Sequence, residues 1–326
     1  MSLYRKIFKE ALHSTWKNKY LWFFGLFAAL FGTSGDYEIF SRFLTGDSSM
    51  VGWRAIQDTK VLSMQSFNTI SDFMTEDPLS FMLTMFVALF ILILIFFIIW
   101  LATVSQAALV NNAVALSAGR KVSFKDGVEV GGKNFWPVLG LNVFNKALIS
   151  IIFLLIGMPL ALSAGRSLVA YNFFYFLLFI VFVPVAIIIS FIVKYAIAYK
   201  VIKGKPLLDC LKKSWQLFIE NWLVSVEMAF ILFFLNFLYG LAVLLLMLVL
   251  AVPFLFLALI FYYMTSFTGF WLVATFALVL FFVLIALAGS FIAAFQIYSW
   301  TSLFVELTGR GATAKVVRMF GGIGSR

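Results

Sequence analysis

A chain of 326 residues that is 63% hydrophobic, 19% aromatic and only 12% charged does not have the make-up of a soluble domain. Its lone Cys210 excludes a disulfide framework and a multi-Cys metal site, and its lone His13 excludes multi-His zinc chemistry and most His-based acid–base schemes. The net charge of +10 would suit nucleic acid, but the basic residues flank apolar runs, so a membrane surface is the expected partner and nucleic acid is not.

The first element is a basic amphipathic helix. Tyr4, Ile7, Phe8, Ala11, Leu12 and Trp16 recur at spacings of three and four, with Arg5, Lys6, Lys9, Glu10, His13 and Lys17 opposite. The apolar run Tyr20–Phe31 follows. It resembles a signal peptide in outline, but the basic region is long and Ala28-Ala29-Leu30 fits an A-x-A-like site poorly. A retained first span over about 20–33 is expected. Residues 34–78 then carry Asp36, Glu38, Asp47, Asp58, Asp72, Glu76 and Asp77 against Arg42, Arg54 and Lys60. That balance places the segment outside. Met64, Phe67, Ile70 and Met74 within it suggest a short helix on the outer leaflet. Residues 78–119 are free of charge and hold the second span, about 79–110. Gln106, Asn111 and Asn112 on it suit interhelical hydrogen bonds.

Gly119-Arg120 closes that helix, with Gly for a left-handed C-cap and a cation for the negative helix end. A second amphipathic stretch, Phe124, Val128, Phe135 and Trp136, is weakened by Gly127, Gly131 and Gly132. Two spans follow over about 136–162 and 171–199, joined outside by Ser163–Leu168 with Arg166. Gly204-Lys205 ends the second. The third amphipathic stretch sets Leu208, Leu211, Trp215, Phe218, Ile219 and Trp222 against Asp209, Lys212, Lys213, Gln216 and Glu220.

Residues 228–305 then hold no charged side chain at all. Two crossings leave surplus apolar length, since a 40-residue helix is about 60 Å long. Pro253 and the 262–269 stretch are expected to break the run into a re-entrant or interfacial element. The alternative is four crossings, with tight turns at Gly240, Thr265–Gly269 and Gly289. Gly309-Arg310 ends the last helix, and Ala314, Val317 and Phe320 begin a further interfacial pattern.

Basic clusters at residues 5–19, 120–133, 194–213 and 310–326 mark one side, the cytoplasmic one. Sharing a side forces an even number of crossings between neighbouring clusters. The expected fold is therefore all-α and integral to the membrane, with six spans and an alternative of eight. The single membrane domain, 1–326, divides into repeat 1 (1–119, external loop 34–78), repeat 2 (120–204), repeat 3 (205–309) and a cytoplasmic tail (310–326). Each repeat is an interfacial basic helix, a helix up, an external link and a helix down.

The Gly-basic helix ends, Leu211-x-x-x-Trp215, Asn221-Trp222 and Asn134-Phe135-Trp136 carry a resemblance. Over most of its length the chain resembles poorly characterised prokaryotic polytopic membrane families related to the membrane domain of glycerophosphodiester phosphodiesterases. The resemblance implies a multi-pass protein of a prokaryotic plasma membrane. The soluble phosphodiesterase barrel with its His and Glu metal site is absent, so no catalytic residue carries over.

Ionisable residues inside a membrane default to a functional hypothesis. Lys146 lies ten residues past Trp136, about 15 Å deep, and Glu227 five past Trp222, about 7 Å deep. With Asn142, Asn145 and Asn236 they form a candidate intramembrane polar site. Snorkelling, or packing of Lys146 against Glu227, is the plainer account. Arg5, Lys6, Lys9, Arg120, Lys121, Lys203, Lys205, Lys212 and Lys213 are candidate contacts to lipid headgroups, although such residues also serve as ordinary topology signals. No Ser-His-Asp set, paired catalytic carboxylates, phosphate loop or metal-spaced ligands occur. The expected function is non-enzymatic and cofactor-free: binding or organising anionic lipids, or supporting a protein partner or a second copy. The alternative is an ion or small-molecule transporter.

Overall fold

The computed structural model describes residues 3–32, 78–162 and 168–309. Of these 93% are helical, and none lies in a strand. In chain order the helices are α1 (Leu3–Lys17), α2 (Tyr20–Gly32), α3 (Pro78–Ser117), α4 (Phe124–Lys133), α5 (Phe135–Leu162), α6 (Leu168–Lys203), α7 (Leu207–Glu220), α8 (Trp222–Tyr263) and α9 (Phe267–Gly309). Five of them, α3, α5, α6, α8 and α9, are long and apolar enough to cross a membrane, and α2 is a shorter apolar helix. The chain thus has the build of an integral membrane protein. The outer segment with Met64, Phe67, Ile70 and Met74, the link with Arg166 and the tail from Arg310 lie outside the described residues.

Each short amphipathic helix precedes a longer apolar one, and α1, α4 and α7 gather at one end of the bundle; α1 is net basic, whereas the lysines of α4 and α7 are matched by acids. We call that end basal. Gly119 and Gly204 make the turns from α3 and α6 back into this layer, at φ +72° and +63°. Only glycine enters that region freely. Arg120 N donates to Ala115 O across the first turn, at 2.9 Å, which satisfies a carbonyl the helix end would orphan.

The long helices differ from the expected break. α8 runs through Pro253 without interruption, and a proline inside a helix this apolar is tolerated when neighbours and local adjustment absorb the lost hydrogen bond. Gly240 and Gly289 also lie within continuous helix, so the turns assigned to them do not form. The run reverses once, at Met264–Ser266. Thr265 there has φ +54°, and its Oγ1 donates to Met264 O at 2.8 Å. Gly269 admits the Phe261 ring, which would stand 2.3 Å from a Cβ. At 42 and 43 residues, α8 and α9 are each about 63 Å long.

The core sits at the basal end. The inner halves of α3, α6, α8 and α9 pack there with α1, α2, α5 and α7. Tyr195, Tyr298, Phe304 and Met228 are almost wholly enclosed. Aromatic edges lock α6 to α9, with Phe191 5.1 Å from Trp300 and Tyr199 4.7 Å from Phe304. Gly25 of α2 lies so close to α9 that a Cβ would fall 2.1 Å from Ser290 O.

Candidate functional site

The basal layer is built from the three amphipathic helices. In α1, Tyr4, Ile7, Ala11 and Thr15 are buried, while Arg5, Lys6, Lys9, His13 and Lys17 are exposed. Three polar contacts fasten it to the long helices. Tyr4 OH donates to Glu227, Lys6 Nζ meets Glu306 Oε1 at 2.9 Å, and Tyr298 OH donates to Glu10 Oε1 at 3.3 Å. Glu227 is therefore a fixing point for the interfacial helix.

In α4 two of the three glycines that weaken the pattern, Gly127 and Gly131, serve close packing, while Gly132 faces open space. A Cβ on Gly131 would fall 2.5 Å from Val104 O, and one on Gly127 2.9 Å from Asn112 Nδ2. The helix starts with a full capping box between Ser123 and Asp126. In α7 the apolar stripe divides. Cys210, Ser214, Leu217 and Phe218 face inward. Leu208, Trp215 and Ile219 remain exposed. Burial pushes the Cys210 thiol pKa up, so the residue behaves as a small packing group rather than a reactive thiolate.

The proposed headgroup residues fall on the outside of this layer. Arg5, Lys6, Lys9, Arg120, Lys121, Lys203, Lys212 and Lys213 are exposed, and Lys205 is half-buried. Four tryptophans stand exposed among them: Trp16 (65%), Trp136 (72%), Trp215 (51%) and Trp222 (55%). Exposed indoles beside cations are the arrangement of a membrane–water interface.

The candidate intramembrane residues are divided between α5 and α8. Asn142 is buried, and its Nδ2 donates to Gln106 Oε1 of α3 at 2.6 Å. Lys146, one turn further along α5, is exposed. Asn145 and Asn236 each hold a buried, unpartnered carbonyl oxygen. On α8, Asn236 lies nine residues from Glu227 and so on the opposite side of the helix.

The sequence reading passed over a second polar locus. A cavity of about 60 Å³ lies between α2, α3, α6 and α9, with Gln106, Lys194, Gln296 and Thr301 as its polar lining. Lys194 stands nine residues, about 14 Å, inward of Lys203, well away from the basal lysines. Its ammonium lies 5.2 Å from the Trp300 ring. The signal was present in its spacing: a lone cation six residues ahead of Lys200 in an apolar run. The paired hydroxyls of Tyr195 and Ser225, at 2.7 Å, carried no signal that spacing reveals. Asn112 is fully buried with both amide atoms unpartnered.

No group of three or more His, Cys, Asp or Glu placed to hold a metal occurs among the described residues. Set against family models, curated proteins and solved structures, the chain matches none.

Proposed function

We propose that this chain is a non-enzymatic multi-pass protein of a prokaryotic plasma membrane that binds or organises anionic lipids on its cytoplasmic side. One observation carries the reading. The basal layer of α1, α4, α7 and the helix ends that adjoin them exposes lysines, arginines and four tryptophans, Trp16 and Trp215 on α1 and α7 and Trp136 and Trp222 at the starts of α5 and α8. A surface that sets cations, here on α1 and at the Arg120–Lys121 and Lys203–Lys205 corners, beside bulky apolar residues binds a headgroup layer through both terms at once. In this reading the chain crosses six times as three hairpin units, with both termini cytoplasmic. Introduced cysteines in a Cys210→Ser background report the topology. Thiol reagents that stay outside the cell should reach position 166 and not positions 5 or 121.

Native mass spectrometry of the full chain, released from its own membrane in mild detergent, tests the lipid role. Retained anionic phospholipid is the expected result. Loss of all phospholipid under conditions that preserve the fold would sink it.

A second reading is a pathway for ions or small molecules, and the cavity beside Lys194 favours it. Replacing Lys194, which lines that cavity, with Met separates the two readings. A lipid-organising module tolerates the change, whereas a charge-dependent cycle through the cavity stops, as flux into proteoliposomes would record.

A further inference from the structure

At the corner between α6 and α7 four lysines converge. The turn at Gly204 folds Lys203 and Lys205 back over one ring: their ammonium groups lie 5.2 and 5.8 Å from the centre of Tyr199. Lys203 also lies 5.8 Å from the Phe304 ring. Lys200 Nζ donates to Lys205 O at 3.2 Å, which holds a third cation behind the turn. Lys213 of α7 acts electrostatically on both Lys205 and Tyr199. Its ammonium, with a further contribution from Lys203, pushes the Lys205 pKa below the ordinary lysine value. Asp209 acts on Lys205 in the opposite sense, and Asp209 and Glu220 are the acids that bear on this corner.

The corner between α3 and α4 is a useful contrast. There Arg120 and Lys121 lead into a helix whose first amides are satisfied by Ser123 and whose first turn carries Asp126. α7 instead starts behind Pro206, with no side chain capping it. Its positive end adds to the four cations. Converging ammonium groups repel one another, and a multiply charged anion turns that repulsion into attraction. A phosphodiester brings one charge. A phosphomonoester brings close to two and three strong acceptor oxygens. Two ammonium groups over one aromatic floor, with the Lys213 charge bearing on the same ring, fit the latter.

We propose that the α6–α7 corner is a binding site for a phosphomonoester, with Lys203, Lys205 and Lys213 as its donors and Lys200 behind them. The ligand is either a lipid headgroup of the phosphatidic acid type or a free phosphate. The lipid source rests on the reading of the basal layer given above.

The test is native mass spectrometry and thermal unfolding of the full chain in mild detergent. Dioleoyl phosphatidic acid, dioleoyl phosphatidylglycerol or inorganic phosphate is added in turn. Phosphatidic acid should form a one-to-one adduct that outlasts the phosphatidylglycerol adducts. The pair Lys205→Met and Lys213→Met should weaken that adduct at least tenfold and leave phosphatidylglycerol unaffected. Lys121→Met at the other corner should leave both unaffected. Displacement of phosphatidic acid by inorganic phosphate, with a matching rise in the unfolding midpoint, assigns the site to free phosphate. Equal retention of the two lipids, or no effect of the Lys205 and Lys213 changes, overturns the site while sparing the lipid-binding layer. Stabilisation by inorganic phosphate that depends on Lys205 and Lys213, with no lipid retained, does the reverse.

Discussion

The inner and outer halves of α3, α8 and α9 belong to the same helices but follow opposite rules. The inner half of α3 buries Ala102, Thr103, Ser105, Gln106, Ala107, Ala108, Asn112 and Ala113. Its outer half, from Leu79 to Ile98, exposes nearly every large apolar side chain it has. The most apolar 18-residue stretches of α3, α8 and α9 contain no buried residue. A soluble protein would show the reverse. Lipid tails solvate Leu and Phe as well as a core does, so helices associate through small residues that allow close approach and through polar groups that need partners.

Four substitutions sharpen this contrast, from the largest effect to the smallest. Gly25→Val pushes a side chain into the Ser290 carbonyl and should cost about 1–3 kcal/mol, read as a lowered unfolding midpoint in detergent. Gly131→Val should act similarly by prising α4 off Val104, with a somewhat smaller loss because α4 is a short peripheral helix. Asn142→Leu strands Gln106. A double-mutant cycle with Gln106→Leu should give a coupling of about 0.6 kcal/mol, the usual scale for such bonds between membrane helices. Leu92→Ala, on the exposed half of α3, should change stability by less than about 0.5 kcal/mol. If Leu92→Ala instead costs as much as a core truncation, the outer half packs against something other than lipid, and cross-linking between copies would identify it.

Much of the basal architecture was legible. Gly119 and Gly204 advertised their turns because a left-handed C-cap followed by a cation has few other uses. The amphipathic helices were legible from spacing, and the interhelical role of Gln106 from its place as an amide in an apolar helix, although its partner Asn142 was not. Other features left weaker traces. Periodicity is silent where every face of a helix is apolar, so the boundary between packed and exposed halves shows only as a change from Phe, Leu and Ile to Ala, Ser and Asn. The division of the α7 stripe escaped notice for a related reason. Its inward face mixes the small Cys210 and Ser214 with Leu217 and Phe218, while Leu208, Trp215 and Ile219 point away from the core. Pro253 misled because the rule that proline breaks a helix is learned where water competes for the freed carbonyl.

The unbroken length of α8 and α9 bears on the surrounding bilayer. Trp222 marks one end of the hairpin, and Tyr262, Tyr263 and Trp271 are exposed at the other. Those aromatic anchors stand about 60 Å apart along the helix, roughly twice an ordinary hydrocarbon core. Hydrophobic mismatch on that scale stretches and thickens the annulus of lipid or lays the hairpin far over. Either response couples the hairpin to the acyl-chain length of the lipid around it.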